Sequence, residues 1–222
     1  MAISDEQVKK DIVNQLYWDQ MVDASDITVD VSDGKVTLAG SVPSFAARGA
    51  AYNDAVIIPG VNLVDSKLEV KLPPALQPVT DDEIKTRVEK VLHWNADIDA
   101  TNITASVIGG RVTLNGYLDA YWKKTKASEL VSDIFGVLEV DNAISVVPVE
   151  GSEDRVIADD IMMALRRSTD IDTNTIEVMV ADGVVTISGT VPNWTAFKAA
   201  EHIADNTAGV VGVTNDLFIE TF

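Results

Sequence analysis

Cysteine is absent from the 222 residues, which removes disulfides, thiol nucleophiles and Cys-based zinc sites. Two histidines leave almost nothing for a multi-histidine metal centre. No apolar run approaches the roughly 18 residues that a membrane-spanning helix needs. The first twenty residues lack a basic stretch followed by an apolar one, so no signal peptide is visible. On that ground the expected compartment is the cytoplasm, with the periplasm as the alternative if a leader has been removed. Bases are scarce: 17 Lys and Arg face 35 Asp and Glu, for a formal net charge of −18. Such a field repels nucleic-acid phosphate and opposes docking on anionic lipid unless a local patch reverses its sign. No nucleic-acid partner and no transmembrane segment are therefore expected. The charge is uneven, at −5 over residues 1–75, −4 over 76–149 and −9 over 150–222. What is present is ordinary for a folded chain, with 46% hydrophobic and 23% charged residues.

The chain repeats itself. DGKVTLAG (33–40), GGRVTLNG (109–116) and DGVVTISG (182–189) are variants of one string. Their final glycines, Gly40, Gly116 and Gly189, lie 76 and 73 residues apart. The same two offsets relate Gly60, Gly136 and Gly209, and also Asp23, Asp99 and Asp172, and Ile27, Ile103 and Ile176. Shared offsets at independent positions imply tandem duplication. The expected units are 1–71, 80–147 and 152–222, joined by linkers at 72–79 and 148–151. Pro73, Pro74 and Pro78 make the first linker extended.

Each unit opens with an amphipathic helix. Apolar residues recur every fourth position, at Val8, Ile12 and Leu16, then Ile84, Val88 and Leu92, then Ile157, Ile161 and Leu165, which lays one stripe along one face. Ser4 with Gln7, and Thr80 with Glu83, fit a capping box. Ser152 can cap, but Arg155 breaks the third box. Two strands follow, ITVDV (27–31), ITASV (103–107) and IEVMV (176–180) being the first of each pair. Asp33-Gly34, Gly109-Gly110 and Asp182-Gly183 supply the positive φ of a two-residue hairpin turn. The second strand is expected to end at Gly40, Gly116 or Gly189, where glycine permits a bulge or close approach to the following helix. A second helix, rich in alanine, is expected from about Pro43, Asp119 or Pro192, stopping at Gly60, Gly136 or Gly209. A last strand, from Val61, Val137 or Val210, completes the unit. The fold class is therefore α+β: three tandem αββαβ units, each a mixed three-stranded sheet with two helices packed on one face.

The initial helix, the turn-V-T-L-x-G core, the alanine-rich second helix and the strings GVNLV (60–64), GVLEV (136–140) and GVVGV (209–213) resemble the BON domain. The resemblance covers essentially all three units. It implies the αββαβ fold, a bacterial envelope or osmotic-stress setting, phospholipid-surface binding and no enzymatic activity. One relative pairs this domain with a peptidoglycan-binding-type module and binds potassium; that second module has no counterpart here.

Three groups of residues are candidates for binding. Tyr121, Trp122, Lys123, Lys124 and Lys126 combine aromatic and ammonium groups, as a lipid headgroup layer favours. The alternative is packing between units with solvated lysines. Phe45, Tyr121 and Trp194 occupy one repeat position; Trp18 and Trp94 occupy another, where the third unit has Arg167. Matched aromatics suit core or inter-unit packing, or an apolar partner-binding edge. Asp97 with Asp99, and Asp170 with Asp172, follow the first helix of their units. An EF-hand is rejected, because Asn102 and Thr175 stand at its glycine place and Ile108 and Ala181 at its glutamate place. His93 and His202 do not match in register, and no G-x-S-x-G elbow is present.

The expected function is thus a non-enzymatic tandem-repeat protein that meets a phospholipid surface, without cofactor, catalytic residue or metal. A protein-interaction or chaperone-like module is the second reading, and a monovalent-cation (potassium) sensor the third.

Overall fold

The computed structural model describes residues 3–72, 79–148, 153–169 and 171–219. Three copies of one unit are present. The first runs α1 (Asp5–Trp18), β1 (Ile27–Ser32), β2 (Lys35–Val42), α2 (Phe45–Val56) and β3 (Leu63–Val70). The second runs α3 (Asp81–Trp94), β4 (Ile103–Ile108), β5 (Arg111–Leu118), α4 (Tyr121–Ser132) and β6 (Glu139–Val146). The third runs α5 (Asp154–Arg167), β7 (Ile176–Ala181), β8 (Val184–Val191), α6 (Trp194–Asp205) and β9 (Gly212–Ile219). Each unit forms its own sheet, in the order β1-β2-β3, β4-β5-β6 or β7-β8-β9. The hairpin pair is antiparallel and the helix-linked pair parallel. The central strand is thus fully paired, while among the described residues both outer strands keep one free edge.

Burial alternates along the strands, so each sheet turns one face inward: Val36, Leu38 and Val42 in β2, and their counterparts in β5 and β8. Both helices cover that face. The four-residue stripes of α1, α3 and α5 are almost wholly buried, and so are Ala47, Ala51 and Ala55 of α2 and Ala196, Ala200 and Ala204 of α6. Alanine brings a helix backbone close to a sheet, and the side-chain ordering cost is nil.

Several local expectations are corrected. The central strands run on through Gly40, Gly116 and Gly189 for two more residues. The close approach at these glycines is to the start of the neighbouring antiparallel strand, not to the following helix. A Cβ there would collide with the main-chain carbonyl oxygen of Asp26, Asn102 or Thr175. The second helices start at Phe45, Tyr121 and Trp194, because Ser44 and Asn193 cap the first and third by accepting from the N–H of Ala47 and Ala196. Pro43 and Pro192 therefore precede the cap. These helices end at Val56, Ser132 and Asp205, before the turn that holds Gly60, Gly136 or Gly209, and the last strands begin two residues later than expected. Thr80 and Glu83 form a full capping box. Gln7 instead turns its amide to Asp11 at 2.8 Å, so Ser4 caps alone. Ser152 and most of both linkers lie outside the described residues.

One tie recurs in all three units. The first residue of the opening helix, Asp5, Asp81 or Asp154, spreads its carboxylate across the hairpin turn. Asp81 accepts from Gly109 N–H at 2.7 Å and Gly110 N–H at 2.9 Å. Asp154 accepts from Asp182 and Gly183, both at 2.9 Å. Asp5 accepts from Asp33 at 2.9 Å and Gly34 at 3.2 Å. Both turn residues have positive φ in every unit, which aims the two successive N–H groups at one anion. The carboxylate also sits favourably at the helix N-terminus. Asp81→Ala is expected to destabilise the second unit by about 1–2 kcal/mol, the loss of two charge-assisted bonds at a partly exposed site. Urea unfolding followed by hydrogen exchange should show the loss in the second unit and leave the first and third unchanged.

Candidate functional site

The opening of α4 is largely neutralised by its own neighbours. Lys123 Nζ meets the Asp119 carboxylate at 2.8 Å, with 21% of its side chain exposed, and stands 5.6 Å from the half-buried Trp122 ring. Lys126 pairs with Glu129 at 3.6 Å. Among the described residues, Lys124 is the one lysine of this patch without a carboxylate partner. Trp122 and Lys123 are both half-buried.

The three matched aromatics Phe45, Tyr121 and Trp194 each stand first in a second helix. Trp194 reaches the first unit, packing on its core and lying edge-on to Tyr52 at 6.4 Å, while stacking on Phe197 at 4.5 Å. Tyr121 packs against the core of the third unit, and burial raises its phenol pKa. Phe45 is half-buried beneath the Arg48 guanidinium, 4.2 Å from the ring centre.

Trp18 and Trp94 behave differently. They close α1 and α3 and are 77% and 81% exposed. Tyr17 stands edge-on to Trp18 at 5.7 Å, and Met21, three residues on, is also exposed. Beside Trp94, a groove of about 470 Å³ runs between α3 and the outer strand β4, lined by Lys90, Leu92, His93, Ile103 and Ala105. Ala105 occupies the register of Val29 and Val178, and its smaller side chain leaves room in the floor of the groove. The composition gave no sign of which matched aromatics were exposed. The repeat register marks Tyr17, against His93 and Arg166, and the Ala105 exception.

The loop acids serve the backbone. Asp23, Asp99 and Asp172 accept from the N–H two residues on, at 3.0–3.1 Å, and cap short 3₁₀ turns. The Ser25 and Thr101 hydroxyls, and then these N–H bonds, lower the carboxyl pKa of Asp23 and Asp99. Asp97 lies in the same loop, and Asp170 is outside the described residues. Among the described residues, no three His, Cys, Asp or Glu side chains converge to hold a metal.

One buried acid escaped the sequence reading. Asp54 in α2 is 7% exposed, at the register of Leu130 and Ile203. Its Oδ1 accepts from Gln15 Nε2 at 3.0 Å, and its Oδ2 has no partner. Burial raises its pKa; the Gln15 hydrogen bond opposes this, and the nearby Asp19 carboxylate adds to it. A raised carboxyl pKa contributes stability at low pH that is lost as pH rises through the raised value. Asp54→Leu should therefore stabilise the first unit at neutral pH by about 1–3 kcal/mol. Thermal melts of both proteins across pH should converge at the acid end.

The family model for the BON domain matches residues 4–71, 80–148 and 153–220. Osmotically-inducible protein Y of Escherichia coli (strain K12) is 26% identical over 189 residues, 82% of this chain and 94% of that protein. Two solved structures of CdsD, a structural protein of the type III secretion system of Chlamydia trachomatis, are 15% and 14% identical. They cover 94% and 98% of this chain and 90% and 100% of theirs, at TM-scores of 0.26 and 0.27, too low to bear on arrangement or role. The expected cytoplasmic compartment is overturned by the likeness to osmotically-inducible protein Y. The lack of a visible leader does not report a compartment.

Proposed function

Because the chain belongs to the BON domain family in all three of its units, we propose that it is a non-enzymatic protein of the bacterial envelope, protecting against osmotic stress by docking on phospholipid surfaces. Its relation to osmotically-inducible protein Y supports the setting. The observation that carries the lipid reading is the pair of tryptophans at one repeat position, Trp18 and Trp94, held outward at the ends of α1 and α3. Tryptophan concentrates at the membrane–water boundary, where an amphipathic ring meets both phases. Half-burial of each ring is worth about 2 kcal/mol. Tyr17 and Met21 widen the first contact, and the groove beside Trp94 widens the second.

A net charge of −18 makes this contact apolar rather than electrostatic. Neutral vesicles are then the better target, and added salt strengthens binding to anionic ones by screening the repulsion. Lys123 and Lys126 contribute little, since each already faces a carboxylate.

Co-sedimentation with phosphatidylcholine vesicles, with and without phosphatidylglycerol, tests the reading. The wild-type protein should bind neutral vesicles, and a Trp18→Ala/Trp94→Ala double variant should bind at least about tenfold more weakly. Replacing Lys123, Lys124 and Lys126 with alanine should change binding less than about twofold. Absence of wild-type binding to both compositions, at low and high salt, would overturn the proposal and leave the exposed tryptophans to a protein partner.

A further inference from the structure

Two joints between units share one repeat register. Trp194 of the third unit enters a cleft of the first, bounded by Tyr52, Val56 and Val64. Tyr121 of the second unit, 73 residues earlier, enters a cleft of the third, bounded by Glu201, Asp205 and Val213. Each residue of the second set lies 149 positions after its counterpart in the first. The same socket is therefore built twice. In one copy the first unit supplies Tyr52, Val56 and Val64, faced by Lys198, Glu201 and Asn215 of the third unit; the other has carboxylates where Tyr52 and Val56 stand.

The acid-lined cleft measures about 510 Å³. Asp205 is half-buried in it. From its own helix it meets Glu201, His202 and Lys198; from α4 it meets Glu129, with Tyr121 and Thr125; β9 adds the uncharged Val213 and Asn215. On the other side of His202, α5 lines a separate groove with Asp160 and Arg167. The available cations are engaged. Lys198 holds Glu201 at 2.7 Å, and Lys126 faces Glu129 at 3.6 Å. Asn215 adds a buried Nδ2 without an acceptor, whereas its counterpart Asn142 donates to both Lys124 O and Ser128 Oγ.

We propose that the joint between the second and third units is a proton-operated latch. Protonation of Asp205 seats Tyr121 and closes the joint; ionisation sets Asp205 against Glu201 and Glu129 and loosens it. The Trp194 joint, apolar at the same places, stays shut throughout. Burial first, and then Glu201, push the Asp205 carboxyl up to about 6. A carboxyl pKa raised in the folded state contributes stability at low pH, and that contribution is lost as pH climbs through the raised value. The latch therefore opens in the pH window around that value.

The absence of native cysteine allows clean spin labelling at exposed positions. One full-length variant carries Thr104→Cys in β4 with Thr214→Cys in β9; a control carries Thr28→Cys in β1 with Thr214→Cys. Pulsed dipolar distances are read at about pH 5 and about pH 7.5. The 104/214 distribution should broaden on going to the higher pH, and the 28/214 distribution should not. Asp205→Asn, or Asp205→Val after the residue at position 56, should hold the 104/214 pair narrow at both values. Glu201→Gln should lower the midpoint. An unchanged wild-type 104/214 width, equal broadening of the control pair, or full pH dependence persisting in both Asp205 variants would overturn the latch.

Discussion

The bond from the opening helix to the hairpin turn organises each unit. A two-residue turn with both φ values positive leaves its N–H groups directed outward. The carboxylate of Asp5, Asp81 or Asp154 takes both, from the first position of a helix whose N-terminus favours an anion. The contact bridges 28 and 29 residues of chain. It fixes where the helix starts relative to the sheet, and so which stripe of the helix meets the inward face. The glycine of the central strand then sets the opposite end, where only hydrogen fits beneath the carbonyl of Asp26, Asn102 or Thr175. Between these two points, small alanine-faced second helices close an interior that a unit of this size can barely sustain alone.

Much of this was legible beforehand. The four-residue stripes, the turn dipeptides and the shared offsets of 76 and 73 residues dictated the elements and their order. Errors fell where side-chain capping competes with proline or glycine. Ser44 and Asn193 moved the second helices beyond Pro43 and Pro192, and the central strands passed through their glycines because the obstruction comes from a neighbouring strand. The Asp5, Asp81 and Asp154 tie obeys the same offsets and was readable in principle. Asp54 could likewise have been found from Leu130 and Ile203 at its register. The candidate sites were less legible. Whether Tyr121 and Trp194 point into solvent or into another unit depends on how units meet, and no local pattern encodes that. Trp18 and Trp94 stand at helix ends, where periodicity no longer separates an inward from an outward ring.

The repeats have diverged by purpose rather than at random. Most positions inside each core stay aliphatic or alanine across the units, since volume is tightly constrained there; Asp54 against Leu130 and Ile203, and Lys123 against Ala47 and Ala196, are exceptions. Positions at the joints and on the outer surface vary freely: Tyr52 against Glu201, Val56 against Asp205, Trp18 and Trp94 against Arg167. One scaffold thereby carries an apolar seam, an acidic seam and two outward tryptophans. The membrane reading rests on the last of these, and the inter-unit chemistry on the first two.

Among the described residues, each sheet keeps two unpaired outer edges, and a bare strand edge is a template on which another chain can stack. Nothing covalent guards these edges. A net charge of −18 opposes such stacking, over a reach that shrinks from about 10 Å in 0.1 M salt to about 3 Å in 1 M. A cell losing water concentrates its ions, and under those conditions molecules that repel one another in dilute medium can approach edge to edge. The same geometry that leaves each module self-contained thus leaves its strand edges guarded by charge, a guard that weakens as salt rises.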